Sequence, residues 1–121
     1  MAHILVVDDD DSVRGFTARA LTLDGHFVDQ ASDGDEALER IEARGGDYDL
    51  VLSDIRMPAM DGITMAKQAV KDYPDLKILL MTGFAEQREQ AKDVSRIVID
   101  VVSKPFSLAD IRAAVSRALD A

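Results

Sequence analysis

Short apolar runs that each lead into a polar or charged residue, separated by stretches of helical period, constrain this chain more than any other feature. Ile4–Val7 leads into Asp8 and Asp9, Leu50–Ser53 into Asp54, Ile78–Met81 into Thr82, and Val98–Val102 stops one residue short of Lys104. Apolar runs this short and continuous are strands covered on both faces, and their alternation with helical segments points to repeated strand–helix units over a parallel sheet. Five such units fill the 121 residues as one domain, 1–121. The second run, Phe27–Ala31, carries Asp29 and Gln30, so its strand belongs at a sheet edge. Among the helices, Val13, Phe16, Thr17, Ala20 and Leu21 share a face of the first, which ends at Asp24-Gly25, and Leu108, Ile111, Val115 and Ala118 share a face of the last. Ser107 with Asp110 forms a capping-box pattern at the start of that last helix. The segment 85–92 has almost no apolar stripe, which makes it the helix least anchored to the core.

In an open parallel sheet, ligands collect outside the carboxyl ends of the strands. Asp8, Asp9 and Asp54 would converge there and repel one another unless a cation sat among them, and Mg2+ is the natural choice. Asp9 would hold the ion directly and Asp8 through water, because Mg2+ keeps several waters and binds few carboxylates. Asp54, aimed at the centre, is the candidate nucleophile, since a carboxylate can form an acyl phosphate. Lys104 would pair with Asp54 at rest and with a phosphoryl oxygen afterwards, and the Thr82 hydroxyl would donate to another oxygen. Each residue also has a plainer reading: a solvated acidic loop for Asp8 to Asp11, a capping acid for Asp54, a surface lysine for Lys104 and an ordinary strand residue for Thr82.

Composition narrows the classes. With 23 acidic and 14 basic residues the formal charge is −9, which opposes direct binding to nucleic acid or to an anionic membrane. The chain has no cysteine, which excludes disulfides and thiolate metal sites and makes a reducing cytoplasm the simplest location. No apolar run reaches the roughly 18 residues of a spanning helix. The two histidines, His3 ahead of the first strand and His26 after the first helix, read as structural, so a phosphoryl donor would be a histidine on another protein or a small acyl phosphate.

Taken together, Asp8 and Asp9, Asp54, Thr82 and Lys104-Pro105-Phe106, with Met57-Pro58 and Asp61-Gly62 in the loop after Asp54, resemble the receiver domain of two-component response regulators over the whole chain. The resemblance implies a flavodoxin-like, doubly wound α/β fold with a five-stranded parallel sheet in the order 2-1-3-4-5. It implies a further Mg2+ ligand, the backbone carbonyl of Arg56, and a cis Lys104-Pro105 bond. It implies a phosphoprotein of signal transduction rather than an enzyme with other substrates, catalysing only its own aspartyl phosphorylation and dephosphorylation. In many receivers an aromatic three positions before the site lysine turns inward when the threonine moves. Here that position is Val101, and Phe84 either takes over the switch or simply packs on a neighbouring helix.

Segments 54–63, 79–88 and 104–108 look most like stand-alone receivers of the CpdR type. That likeness implies a histidine kinase or histidine phosphotransferase as donor and the AAA+ protease ClpXP, with its substrates, as downstream partner. No output domain is expected, since the chain stops just past the last helix. The adaptor's contact surface would be the face of segment 85–93, the strand near 98–102 and the last helix, with Arg88, Lys92, Arg96 and Arg112. The alternative is a phosphate shuttle or sink between histidine-containing relay proteins.

Overall fold

A computed structural model of the chain describes residues 1–82, 100–103 and 107–121, with the backbone alone at 100–103. Strands β1 (His3–Val7), β2 (Phe27–Ala31), β3 (Leu50–Asp54), β4 (Ile78–Thr82) and β5 (Asp100–Ser103) form one sheet in the order β2-β1-β3-β4-β5. Every pairing is parallel. This is the doubly wound α/β arrangement implied by the resemblance. Residues 98 and 99 of the expected last strand lie outside the described residues, and the strand runs to Ser103.

Side chains alternate across the pleat, and the two sets enter separate cores. Leu5, Val7, Val51, Ile78 and Leu80 pack with Ala37 and Ile41 of α2 (Gly34–Ala43) and with Met65, Ala66 and Ala69 of α3 (Gly62–Asp72). Ile4, Val6, Leu50, Leu52, Leu79 and Met81 pack on the other face with Leu21 of α1 (Asp11–Leu23) and Ile111, Ala114, Val115 and Ala118 of α4 (Leu108–Asp120). β2 lies at the edge, as its polar residues predict, and Phe27 at its start is 54% exposed.

Each described helix starts on a side chain that accepts from its first turn, which satisfies amides that have no partner within the helix. Asp10 accepts from the Ser12 and Val13 amides, Asp33 from Glu36, Asp61 from Thr64, and Ser107 from Asp110 in the expected reciprocal box. α1 stops at Asp24, and Gly25 follows at φ +92°, a conformation that favours glycine.

Two expected core residues are exposed instead. Phe16 is 53% exposed, because the buried stripe of α1 runs through Thr17, Ala18, Ala20 and Leu21 and that phase turns position 16 outward. Leu108 is 37% exposed, since the stripe of α4 begins a turn later at Ile111. His3 is the first residue of β1 rather than a residue ahead of it, with its ring 4.9 Å from that of Phe27. His26 accepts at Nδ1 from the Ala2 amide at 3.2 Å.

At the amino end of the sheet, the Tyr48 hydroxyl donates to Asp29 at 2.6 Å, and the Arg44 guanidinium lies 4.9 Å over its ring. Burial, and then the neighbouring Asp29 carboxylate, push the Tyr48 phenol above its ordinary value. A raised phenol stabilises the fold fully below the unfolded tyrosine value of about 10, and the contribution is lost as pH climbs through the folded value. Tyr48→Phe is therefore expected to cost about 1 kcal/mol at neutral pH. The gap between wild type and variant should narrow above about pH 10, as read by urea unfolding of both proteins across that range.

Candidate functional site

Strand register assembles the site. Val7 pairs with Ser53, so the next residues, Asp8 and Asp54, leave neighbouring strands side by side. Asp54 in turn pairs with Met81, one position before Thr82, and Thr82 pairs with Ser103. Asp8 is fully buried, Asp54 is 8% exposed and Thr82 is 2% exposed, whereas Asp9 faces solvent. Carboxylate oxygens of Asp8, Asp9 and Asp54 all lie within 4.8 Å of one another.

That cluster has the chemistry of a hard-cation site. Two unit charges about 5 Å apart repel by roughly 3 kcal/mol at an effective dielectric near 20, and two of these three carboxylates are shielded from bulk water. Oxygen donors with two buried carboxylates and one exposed fit an ion that keeps part of its water shell. The residues present therefore fit Mg2+, and the exposed Asp9 gives the ion a path from solvent.

Backbone contacts fix two of the three acids. Asp8 donates its amide to the Ala31 carbonyl at 3.1 Å, which extends the ladder with β2, and one carboxylate oxygen of Asp8 accepts from the Asp10 amide at 3.0 Å. The Ile55 amide donates to the Asp54 carboxylate at 3.0 Å. Beyond Asp54 the chain loops out and returns: the Gly62 amide donates to the Ile55 carbonyl at 2.7 Å, and a Cβ on Gly62 would collide with the Asp54 carbonyl oxygen. Only glycine lets α3 start this close to β3.

The same loop, which contains Arg56, is fastened at its far side. Met57 is buried, Ala59 has φ +64°, and the Gly34 amide at the start of α2 donates to the Met60 carbonyl at 3.2 Å. A Cβ at Gly34 would stand 2.6 Å from that carbonyl oxygen and 2.8 Å from the Met60 Cβ.

Of the residues singled out in the sequence, Asp8, Asp9, Asp54 and Thr82 come together at the carboxyl edge of the sheet, with Arg56 in the adjoining loop. Lys104, Pro105, Phe84, Arg88, Lys92 and Arg96 lie outside the described residues, and of Val101 the backbone alone is described, in β5. The Arg112 guanidinium, half exposed, binds both carboxylate oxygens of Asp24, at 2.8 and 2.5 Å. That pair holds the Asp24 carboxyl below its ordinary range. Arg14 was missed, although it donates to the Asp8 carbonyl at 2.9 Å. Its only sequence signal was a position one turn into the helix that follows the acidic run.

The response regulator receiver domain family matches residues 4–116. The sensor kinase CckA of Brucella abortus is 38% identical over 119 residues, 98% of this chain but 13% of that protein, so the chain spans only a fraction of its length. The response regulator receiver protein CpdR of the same organism is 39% identical over 111 residues, 92% of this chain and 91% of that protein. Among solved structures, the response regulator protein TrrA of Thermotoga maritima in complex with Mg2+-BeF has a TM-score of 0.86 at 33% identity, covering 98% of this chain and 99% of that one.

If mutual repulsion is the cost of the cluster, relieving it should stabilise the metal-free protein. Asp9→Asn is expected to raise unfolding free energy in EDTA by about 1 kcal/mol, the scale of one exposed pairwise repulsion. It should also remove the stabilisation that added Mg2+ gives the wild type. Urea unfolding with and without Mg2+ checks both.

Proposed function

This chain belongs to the response regulator receiver family, and from that premise we propose that Asp54 accepts a phosphoryl group from a phosphohistidine in a Mg2+-dependent reaction that changes which protein the domain binds. The observation that carries this reading is the convergence of the Asp8, Asp9 and Asp54 carboxylates, within 4.8 Å, at the carboxyl ends of β1 and β3.

In the reaction, an Asp54 carboxylate oxygen attacks phosphorus in line with the departing imidazole nitrogen. The P–O bond forms as the P–N bond breaks, and the imidazole leaves neutral after taking up a proton. The Ile55 amide donates to one Asp54 oxygen at 3.0 Å and so helps to orient the carboxylate at the end of β3. Asp8, Asp9, Asp54 and the Arg56 carbonyl would hold Mg2+, which when bound supplies positive charge to the phosphoryl oxygens. Lys104 contributes a second positive charge and Thr82 a hydroxyl donor to those oxygens in this reading. Thr82 is buried at the end of β4, and in this reading the shift of its hydroxyl towards the phosphoryl group is the step that starts the switch. In this reading Phe84 takes over the switch from the position occupied by Val101, and the Lys104-Pro105 turn aims Lys104 at the site.

CpdR, matched along 91% of its length, supports a receiver that works without a covalently attached output domain. On that likeness the output is state-dependent binding to a AAA+ protease, ClpXP, as an adaptor for regulated proteolysis, with a histidine kinase or phosphotransferase as donor. A cytoplasmic location belongs to this reading; among the described residues no helix is long and apolar enough to cross a membrane. The likeness to part of a sensor kinase favours a second reading, a shuttle that returns phosphate to another histidine.

Two expected outcomes test these readings. Incubation with a small phosphodonor and Mg2+, followed by intact-mass measurement, should add a phosphoryl group to wild type and to Asp10→Asn but not to Asp54→Asn. Asp10→Asn is a clean control because asparagine caps α1 about as well as aspartate. Phosphate on Asp54→Asn would overturn the assignment. For the output, a pull-down with the unphosphorylated and phosphorylated forms should retain the protease with only one of them. Equal capture, together with rapid transfer of phosphate to a phosphotransferase histidine, would favour the shuttle.

A further inference from the structure

The Arg14 side chain is 17% exposed, and its guanidinium is spread over three acceptors on two segments of the chain. Nη1 donates to the Asp8 backbone carbonyl at 2.9 Å, Nη2 to the Asp11 carboxylate at 2.6 Å, and Nε to the Gln30 side-chain carbonyl at 3.3 Å. One rigid planar group therefore spans the turn from β1 to α1 and ties it to edge strand β2. Because the Asp8 amide is already held by Ala31 of β2, at 3.1 Å, Arg14 fixes the other side of the same residue. The turn so braced carries two of the three converging carboxylates.

We propose that Arg14 is a positioning residue for the metal site: its fork holds the β1–α1 turn so that Asp8 and Asp9 face Asp54, and so sets the affinity for Mg2+. The inference rests on the metal reading above. Two effects of Arg14 oppose each other, and their signs differ. As a cation near the carboxylates it would repel Mg2+, and as a brace it would favour binding. Its charge is already matched by Asp11 in a short ion pair, whereas its hydrogen bond to the Asp8 carbonyl acts directly on a proposed ligand residue, so the brace should win. Lysine keeps the charge but cannot serve three acceptors in one plane.

The test is Mg2+ titration of the full chain, wild type, Arg14→Gln and Arg14→Lys, followed by amide chemical shifts, since the chain has no tryptophan to report binding. Unfolding in EDTA is measured alongside. Loss of a partner that orients a metal ligand typically weakens binding roughly 10- to 100-fold, and both variants are expected to raise the Mg2+ Kd by about tenfold, the lower end of that range. Arg14→Lys retains the charge and most of the stem, so it remains informative even if Arg14→Gln fails to fold. Tighter binding by Arg14→Gln with Arg14→Lys unchanged would show a purely electrostatic role. Lower stability with an unchanged Kd would show a purely structural one, and either result overturns the inference. A wild type that binds no Mg2+ overturns the metal reading itself, a result distinct from a wild type that binds and variants that bind equally well.

Discussion

Parallel pairing of β1, β3 and β4 in a single register is the constraint on which the rest of the molecule depends. Because Val7 stands opposite Ser53 and Asp54 opposite Met81, the two acidic strand ends stop at the same level of the sheet, with Thr82 one residue beyond. A slip of one residue would turn each strand's alternating side chains towards the wrong core, exchanging Leu5 and Val7 with Ile4 and Val6. The hydrophobic cores therefore enforce the register, and the register places the charges. The cluster is held together by apolar packing some distance away, against the repulsion of its own members.

That division of labour explains where the tight contacts fall. The acids themselves are an electrostatic burden on the fold, of the kind found where function is favoured over stability. The segments around them are correspondingly over-determined. Gly62 closes the loop after Asp54 onto Ile55 and leaves no room for a side chain, and Gly34 receives the far side of that loop through Met60. Arg14 and Asp10 do the equivalent for the turn after β1, one as a fork and the other as a helix cap. Two short connections, each anchored at both ends, thus carry the groups that would meet the cation and the phosphoryl donor.

Much of this could be read from the residues. Apolar runs of strand length ending in Asp8, Asp54 and Thr82 showed both the fold class and the end of the sheet where chemistry belongs. The polarity of Asp29 and Gln30 located the edge, and Ser107 with Asp110 located the start of α4. Phe16 and Leu108 were misplaced because helical periodicity fixes a spacing but not a phase: a stripe can be rotated by one position when a small residue such as Ala18 packs in place of a larger one. Arg112, with a half-exposed side chain, forms a bidentate pair with Asp24, a residue 88 positions away that no local pattern connects to it.

The sequence by itself determined which residue types stand at strand ends, because strand length and burial on both faces are local consequences of apolar run length. It also determined the helix starts, since a cap needs only a side chain within three residues of the amides it satisfies. Tertiary structure alone decided how the strand ends meet. Whether Asp8, Asp9 and Asp54 share one site depends on hydrogen bonding between strands separated by more than forty residues, and on Arg14 reaching back to a carbonyl whose position that pairing sets. Convergence is a property of register, and register is fixed only when both cores close at once.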